Sequence, residues 1–411
     1  MSTTSSDANT TYILVTGANS GLGFSICCRL IDEFLPTRPD SHSLTLIPTT
    51  RSSAKADDTV TRLNAHLDKY CQAAESAVFG AGVTSHSRIN IQPELVDLCD
   101  LVSVRRVAKS LRQKYDRLDV VILNAGIGGW IGVDWMGAVK QFLKEGMGIV
   151  HRPAFKIGSL GKVVKSRPLT DGRDAPQLGE IFCANVFGHY LLVHYLMGVL
   201  SRKSWDGGSE VGGRVVWVST LEAYAKTFSL DDFQGIGNSL GYESSKRLTD
   251  LMVLTSRSEG TEKYTQNTTP TKPPTFYLSH PGICATEIMP IPRIMVFFQV
   301  CLLYLARFFG SPWHTTTSYA GATSMVWLAL AEEKVLKERD ARNAKWGSAV
   351  NWIGSERVKL TNVDGYAGED GSLLRDENGR GEFEKTGVEV WEEMEGLREE
   401  WEKVLGEEGW E

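Results

Sequence analysis

The chain has 411 residues, of which 42% are hydrophobic and 23% are charged, and its net charge is −6. This balance excludes general disorder, collagen-like repeats and a multi-span membrane protein. The acidic charge disfavours a broad nucleic-acid footprint. A compact domain rarely exceeds about 250 residues, so roughly 160 residues need a second domain or additions to one core.

The cysteines and the N-terminus indicate the compartment. Seven cysteines stand at scattered positions, mostly in apolar runs and without a CxxC pair. This pattern indicates reduced thiols in a cytosol-facing protein and gives no support for a zinc site. Residues 1–11 are polar at their start and carry no Lys or Arg, which predicts a short disordered tail rather than a signal peptide.

Short apolar runs alternate with helical spacings over residues 12–290. Strands are predicted at 12–16, 44–48, 89–98, 119–123, 215–218 and 276–278, and helices at 25–35, near 60–70 and at 102–115. This alternation predicts an α/β fold, in which a doubly wound parallel sheet has helices on both faces.

Three regions depart from the alternation and accommodate the extra length. They are an insertion at about 127–180, an apolar segment at 288–309 and a polar C-terminal extension at 341–411, so the predicted domain covers residues 12–340. The extension ends in an acidic amphipathic helix that should dock on the core or on a partner protomer. Its apolar face consists of Trp391, Met394, Leu397, Trp401, Val404 and Leu405.

The first chemical motif is TGANSGLG at residues 16–23, directly after the first predicted strand. A diphosphate needs free backbone N–H groups, the positive end of a helix and no Cβ in its path. Gly17, Gly21 and Gly23 supply this at a strand-to-helix turn, although tight packing is another explanation. The spacing differs from GxGxxG, but its position predicts a dinucleotide site.

The end of the second predicted strand indicates which dinucleotide binds. An acidic residue there would hold the ribose 2′-hydroxyl of NAD, whereas a basic one suits the 2′-phosphate of NADP. The chain has Thr50 and Arg51 at this point and no Asp or Glu. Arg51 can pair with phosphate through two N–H groups, and an ordinary exposed Arg is the alternative. We therefore expect NADPH.

Two further polar residues end predicted strands at the same edge of the sheet. Asn124 opens the triplet NAG after the fourth strand, and Asp97 ends the third. Ligands of open α/β sheets bind at the carboxyl edge of the strands. Taken alone, the two residues are equally typical of a turn Asn and a cap Asp.

The strongest constellation is YESSK at residues 242–246, which places Tyr242 and Lys246 on one helix face. A nearby ammonium lowers the pKa of a tyrosine and eases proton exchange near neutrality. Upstream, the strand at 215–218 ends in Ser219 and Thr220, whose hydroxyls can polarise a carbonyl. YxxxK alone is common by chance, but this order of motifs is not.

TGANSGLG, NAG, Asn185, VST and YESSK, in this order, resemble the short-chain dehydrogenase/reductase family over about residues 12–290. The segments NAGIGGWIGVDW (124–135), YESSKRLTDLM (242–252) and HPGICATEI (280–288) resemble the 3-ketosteroid reductases of sterol C-4 demethylation, the fungal branch most of all. The resemblance implies a Rossmann-type fold. It also implies an NADPH-dependent reduction of a sterol C-3 ketone to the 3β-alcohol in ergosterol-type biosynthesis.

The resemblance also implies a role for each matching residue. Tyr242 would protonate the ketone oxygen, and Lys246 would lower its pKa and hold the nicotinamide ribose. Asn185 would anchor a water between Lys246 and bulk solvent, while a helix-interior Asn bonded to a nearby carbonyl is the alternative. The residues implied to line the NADP site, besides Tyr242 and Lys246, are Gly17, Ser20, Gly21, Leu22, Gly23, Thr50, Arg51, Asp97, Asn124, Ile283 and Thr286.

The hydroxyl that contacts the carbonyl is open between two neighbours. Serine is the usual residue, which favours Ser219, but common family members have Ser-Ser where this chain has Ser219 and Thr220. Alignment by that dipeptide makes Thr220 a serious rival. The interval from Ser219 to Tyr242 is also longer than the family core usually carries.

The apolar stretch at residues 294–306 contains a single polar side chain, Gln299. As a helix it would span about 20 Å, short of the roughly 30 Å hydrocarbon core of a bilayer. We expect an interfacial helix or a wall of the substrate pocket, with a buried core helix as the alternative. A sterol substrate lives in membranes, so we expect peripheral attachment to the cytosolic face of the endoplasmic reticulum, or to lipid droplets.

Two other functions compete with this one. The first is a broad-specificity carbonyl or steroid reductase that uses the same residues. The second is a scaffolding or chaperone-like role, because the resemblance implies contact with the C-4 methyl oxidase, the C-3 decarboxylase, their membrane scaffold and oxidosqualene cyclase. The intact Tyr242 and Lys246 pair argues against a loss of catalysis.

Overall fold

The computed structural model describes residues 9–77, 85–145, 155–165, 175–201, 212–265, 272–284, 293–368, 370–375 and 379–407. Its strands are β1 (Thr10–Val15), β2 (Ser43–Thr50), β3 (Ile89–Ile91), β4 (Glu94–Leu95), β5 (Val120–Leu123), β6 (Trp130–Val133), β7 (Lys156–Gly158), β8 (Arg214–Val218), β9 (Thr275–His280), β10 (Lys345–Val350) and β11 (Glu356–Thr361).

The same part of the chain contains α-helices. They are α1 (Gly21–Thr37), α2 (Ser53–Ala77), α3 (Leu101–Lys114), α4 (Trp135–Glu145), α5 (Glu180–Phe182), α6 (Gly188–Leu200), α7 (Gly241–Leu254), α8 (Glu262–Thr265), α9 (Arg293–Phe308), α10 (Ser318–Gly321), α11 (Thr323–Leu330), α12 (Glu333–Glu338) and α13 (Arg380–Glu407). A π-helical turn, Cys183–Phe187, joins α5 to α6. Short 3₁₀ turns cover Ala225–Thr227, Leu230–Asp232 and Ala341–Asn343.

The main sheet has the strand order β3-β2-β1-β5-β8-β9-β10-β11, with β4 paired to β2. All neighbours on this path are parallel except β10 and β11. The chain moves outward from β1 to β3 and then returns to place β5 on the other side of β1. The predicted doubly wound α/β sheet is confirmed, and its topological switch point lies between β1 and β5, where such sheets bind ligands.

Helices cover both faces of the sheet, as the apolar strands require. One buried cluster joins the sheet to α3, α6, α7 and α13, and the other joins it to α1, α2 and α11. The six apolar residues predicted along the C-terminal helix are all buried. Trp391 Nε1 donates a hydrogen bond to the Met252 carbonyl at 3.1 Å, so α13 docks on the core of its own chain.

The C-terminal extension differs from its prediction. Residues 345–361 form β10 and β11, which continue the main sheet, so the predicted boundary at 340 cuts through the sheet domain. The sequence KWGSAV did not indicate a buried strand because Lys345 and Ser348 are polar, yet both are buried and hydrogen-bonded. The predicted third strand is split into β3 and β4 around Pro93, since proline cannot donate to a ladder.

In the insertion, β6 and β7 pair as an antiparallel hairpin, and α4 lies between these two strands in the chain. Residues 146–154 and 166–174 of it lie outside the described residues. The apolar segment forms α9. Among the described helices, one continuous run, Glu180–Leu200, is long and apolar enough to cross a membrane, but it is 78% buried within the protein.

Candidate active site

The glycine turn after β1 and the NAG triplet after β5 pack against each other at the topological switch point of the sheet. Gly17 has φ +67°, and a Cβ on it would lie 2.9 Å from the Ala125 Cα. A Cβ on Gly23 would lie 2.2 Å from the Gly17 carbonyl oxygen. Asn124 Nδ2 donates to the Thr16 carbonyl at 3.0 Å. The two glycines are therefore required by the close approach of backbone segments, and Asn124 positions the turn.

The start of α1 has the features that a diphosphate requires. Ser20 is the N-cap residue, but its side chain caps no backbone N–H, and the first turn holds no acidic residue. Gly21 has φ +52°, and a Cβ on it would meet no described atom within 4 Å, so space remains above the turn. The uncapped N–H groups and the positive end of α1 face this space, which fits a phosphate pair next to Ser20 and Leu22.

The residues predicted around the adenosine end lie at the same edge. Arg51 is exposed directly after β2, and the buried Thr50 donates its hydroxyl hydrogen to the Ser52 carbonyl at 2.9 Å. Asp97 Oδ1 accepts a hydrogen bond from the Cys99 N–H at 3.0 Å, as a turn Asp does. Arg51 thus has room to meet an added phosphate, and Asp97 orders the loop after β4.

Tyr242 and Lys246 lie in the first turns of α7, on the face towards β8. The Lys246 Nζ donates to the Val218 carbonyl at 2.7 Å and lies 5.8 Å from the centroid of the Tyr242 ring. Burial lowers the pKa of Lys246 to about 8, against a smaller opposing effect of Asp250. The ammonium is therefore costly to keep in this site and suits an exchange of protons near neutrality.

The pKa of Tyr242 differs from the sequence-based expectation. Burial raises it above its usual value, and the nearby carboxylates of Glu222 and Glu243 raise it further. The nearby Thr220 hydroxyl acts in the opposite direction, because a hydroxyl donor stabilises the phenolate and lowers the pKa. The expected lowering is absent in this structure because the Lys246 Nζ is directed to a backbone carbonyl rather than to the phenol.

Ser219 and Thr220 point to different places. Ser219 is buried, and its hydroxyl donates to Asp250 Oδ1 at 2.5 Å. Thr220 is half-buried, its Oγ1 accepts from the Glu222 N–H at 3.4 Å, and its hydroxyl lies near enough to Tyr242 to oppose the rise in the pKa of that phenol. The structure therefore brings Thr220 together with Tyr242 and keeps Ser219 inside a buried polar network, the reverse of the order favoured by residue type.

Asn185 lies in the π-helical turn, where its side chain is aimed at the loop after NAG. Its Oδ1 accepts from the Ile127 N–H at 2.7 Å, and its Nδ2 donates to the Ile127 carbonyl at 3.0 Å. The same Nδ2 donates to the Ser245 hydroxyl at 3.1 Å. Asn185 thus joins the NAG loop to α7, and the carbonyl that it contacts belongs to a loop 58 residues away and not to its own helix. Its role as a water anchor stays a prediction.

The predicted nicotinamide end is described only in part. The Ile283 N–H donates to the Trp313 carbonyl at 2.7 Å. Gly282 has φ +70°, and a Cβ there would lie 2.5 Å from the same carbonyl oxygen. This packing fixes the path of the chain at Ile283. Thr286 lies outside the described residues.

Sequence reasoning missed a cluster that surrounds Tyr242. The Lys156 Nζ lies 2.6 Å from Glu222 Oε2 and 2.7 Å from Glu243 Oε1. The Trp130 ring lies 4.9 Å from the Tyr242 ring, measured between centroids. The GGW motif was the only signal for Trp130, and a lone Lys or Glu carries none.

Sequence reasoning also missed the buried ion pair of Lys345 and Asp250, which supports the loop that contains Thr220. The Lys345 Nζ of β10 lies 2.6 Å from Asp250 Oδ2, and both side chains are buried. The same Nζ donates to the Thr220 carbonyl at 2.7 Å. Lys345 therefore ties the C-terminal extension to the residues that flank Tyr242, which separation in sequence could not indicate.

Comparison of sequences relates the chain to fungal enzymes. It is 40% identical to the 3-keto-steroid reductase of Aspergillus fumigatus, over 96% of this chain and 95% of that protein. The 3-keto-steroid reductase of Gibberella zeae is 36% identical over the same shares. That of Schizosaccharomyces pombe is 31% identical over 86% of this chain and 90% of its own length. No family model matches the chain.

Solved structures with a similar course of the chain have low sequence identity to it. Salutaridine reductase from Papaver somniferum is 17% identical, with a TM-score of 0.45, over 78% of this chain and 96% of that one. NADPH-bound carbonyl reductase from chicken fatty liver is 18% identical, with a TM-score of 0.44, over 85% of this chain and 99% of that one.

Proposed function

The chain belongs to the family of fungal 3-keto-steroid reductases, and we propose that it reduces the C-3 ketone of a C-4-demethylated sterol to the 3β-alcohol with NADPH. The observation that carries the mechanism is the placement of Tyr242 beside Lys246, 5.8 Å from the ring centroid, and near the Thr220 hydroxyl, at the edge of the sheet where the glycine turn lies. Two hydroxyl groups converge there, as a ketone oxygen requires when it gains charge and then a proton.

When bound, NADPH supplies the hydride. The open start of α1 would hold its diphosphate, and the exposed Arg51 would meet its 2′-phosphate. Thr220 donates a hydrogen bond to the ketone oxygen, and Tyr242 gives that oxygen its proton. The Lys246 Nζ, 5.8 Å from the ring centroid, is a nearby cation that can turn from the Val218 carbonyl to the phenolate that remains. Asn185 holds the NAG loop against α7. Of the two candidate hydroxyls, Ser219 and Thr220, we therefore assign the contact with the ketone oxygen to Thr220.

The test of this function is oxidation of NADPH with a 4-methyl-3-ketosterol, monitored at the nicotinamide absorbance. Tyr242→Phe removes the proton donor and should lower kcat by at least about 10²-fold. A comparison with small aromatic ketones distinguishes the sterol enzyme from a broad carbonyl reductase, because the latter would reduce both with similar kcat/KM. A Tyr242→Phe protein that restores sterol synthesis in cells lacking the reductase would contradict the catalytic account.

Exposed aromatic side chains on and near α9 fit an enzyme whose substrate is dissolved in a membrane. Phe297 and Phe298 on α9 are 65% and 54% exposed, and Phe309 after the helix is 71% exposed. Trp352, in the turn between β10 and β11, is 62% exposed. Gly354 in that turn is close to the Arg307 guanidinium, so the turn lies beside the C-terminal end of α9, and we call the exposed aromatic side chains of the helix and the turn the apolar ridge. Exposed apolar side chains grouped on neighbouring elements mark an interaction surface.

We propose that this ridge inserts into the headgroup region of the endoplasmic reticulum membrane on its cytosolic side. Replacing Phe297 and Phe298 together with Ser should weaken co-sedimentation with phosphatidylcholine vesicles by at least about tenfold, because each buried Phe contributes about 1.5–3 kcal/mol. Leu95→Ser, at an exposed site on the opposite edge of the sheet, is the matched control. Equal vesicle binding by wild type and the double variant would exclude this surface. The protein partners that the resemblance implies stay predictions.

A further inference from the structure

The insertion reaches the catalytic tyrosine through one lysine. Lys156 extends from β7, and its side chain is 4% exposed. It meets Glu222, from the loop after β8, and Glu243, from the first turn of α7, at 2.6 and 2.7 Å. A buried ammonium between two carboxylates is stable only when its geometry is good, because its desolvation is expensive. Three distant segments therefore meet at this one charge.

Trp130 completes the contact on the side of the phenol. The Lys156 Nζ lies 4.7 Å from the centroid of the Trp130 ring, within cation–π range. The same ring lies 4.9 Å from the Tyr242 ring, at an interplanar angle of 56°. Aromatic pairs at this distance restrict one another's orientation. The position of the Tyr242 ring is thus coupled to the lysine through Trp130.

The hairpin that carries Lys156 also fits closely against the loop before α7. A Cβ on Gly158 would lie 1.8 Å from the Ser239 carbonyl oxygen, so only glycine permits this approach. The Ser159 N–H donates to the Gly129 carbonyl at 2.8 Å, next to the register shift of the hairpin. The backbone of the hairpin is therefore held beside the start of α7, and Lys156 is held with it.

The titratable groups that face Tyr242 come from several elements. Glu243 and Lys246 lie on its own helix, Glu222 on the loop after β8 and Cys284 on the loop after β9. Glu222 and Glu243 both disfavour the phenolate. Lys156 is the cation that offsets these two carboxylates, since it pairs with each of them.

We propose that Lys156 is a positioning residue of the reduction, which offsets part of the negative charge of Glu222 and Glu243 beside the phenol and holds Trp130 against the Tyr242 ring. This inference rests on the proposed role of Tyr242 as proton donor. It assigns the insertion a function at the active site in addition to any contact with sterol. Lys156 acts through its neighbours and touches no reacting atom.

The test is the pH dependence of kcat/KM for oxidation of a 3β-hydroxysterol by NADP⁺, a direction in which activity requires the phenolate. Lys156→Met should shift the rising limb to higher pH by about one unit, because two uncompensated carboxylates then face the phenol. Glu222→Gln should shift the limb to lower pH. In the double variant, Lys156→Met with Glu222→Gln, the limb should return close to its wild-type position. Lys156→Arg should retain the wild-type pH profile.

Lys162→Met is the matched control, since Lys162 lies in the same insertion, is exposed and is 4.0 Å from its carboxylate partner Glu180. Urea midpoints of all variants establish that they are folded. If Lys156→Met folds poorly, Glu222→Gln and the double variant still decide the matter. A limb that is unchanged in these variants, or that moves in the same direction for both single changes, overturns the inference. Full activity of Tyr242→Phe would instead refute the proposed donor, so the two failures are distinguishable.

Discussion

Replacing Ser219 and Thr220 separately tests the division of labour between two adjacent hydroxyls. Thr220→Val keeps the shape of the side chain and removes the hydroxyl donor near Tyr242, which opposes the rise in the pKa of that phenol. If that donor stabilises the charge on the ketone oxygen, its loss should lower kcat by about 10²–10³-fold, as removal of one oxyanion donor does. Because Thr220 is only half-buried, we expect little change in the free energy of unfolding.

Ser219→Ala should have the opposite effect, lowering the free energy of unfolding while changing kcat little. It deletes the hydrogen bond to Asp250 Oδ1, whose other oxygen keeps its contact with Lys345 at 2.6 Å. A hydrogen bond to a charged group contributes about 1.5–3 kcal/mol, so the urea midpoint should fall measurably. The value of kcat should stay within about threefold of wild type, because no reacting atom loses a partner.

The assay combines steady-state reduction of a 3-keto sterol with urea unfolding followed by tryptophan fluorescence. Both variants are measured at the same pH and at saturating NADPH, so that kcat reports the chemical step and product release. The reasoning is refuted if Ser219→Ala loses the larger share of kcat while its unfolding free energy stays that of wild type. Such a result would restore the assignment by residue type.

Three further changes test the packing that surrounds the site. Lys345→Met should lower the free energy of unfolding by about 3–5 kcal/mol, because Asp250 would keep a buried charge without its cation. Lys345→Met combined with Asp250→Leu should recover much of that loss, and a double variant as unstable as the single one would contradict the assignment. Trp391→Ala should cost about 3–5 kcal/mol, measured by urea unfolding, since the ring is buried between α13 and the core. Burial lowers the pKa of His189 to about 3, whereas an unfolded His titrates near 6.5. The unfolded chain therefore binds the extra proton, and stability should fall by about 1.4 kcal/mol per pH unit as the pH drops below 6.5. His189→Gln should flatten this slope, and an identical slope in that variant would exclude His189 as its source.

Several features of this protein follow from residues that are close together in the chain. The glycine turn, the NAG triplet and the YxxxK pair each act through spacings of a few residues, which helix and turn geometry translate directly into neighbouring atoms. The apolar alternation likewise predicted the parallel sheet and its doubly wound form. The choice of a basic residue after β2 is local in the same sense, because Arg51 needs only its place at the end of that strand.

Other features depend on contacts between segments that are far apart. Polar residues within a strand reduce its apparent hydrophobicity. The sequence around Lys345 therefore did not indicate the buried strand β10, because the buried partner of Lys345, Asp250, is far away in the chain. Tertiary structure also separated Ser219 from Thr220, because only the position of Asp250 distinguishes the two hydroxyls. Lys156 has no local pattern at all.

The sequence by itself therefore determined the fold class, the cofactor edge of the sheet and the tyrosine–lysine pair, since each rests on periodicity or short spacing. Only the tertiary structure decided which hydroxyl faces the tyrosine, which lysines balance the buried carboxylates and how the insertion meets the site. The physical reason is that a buried charge needs a partner in space, and the chain can supply that partner from any distance along its length.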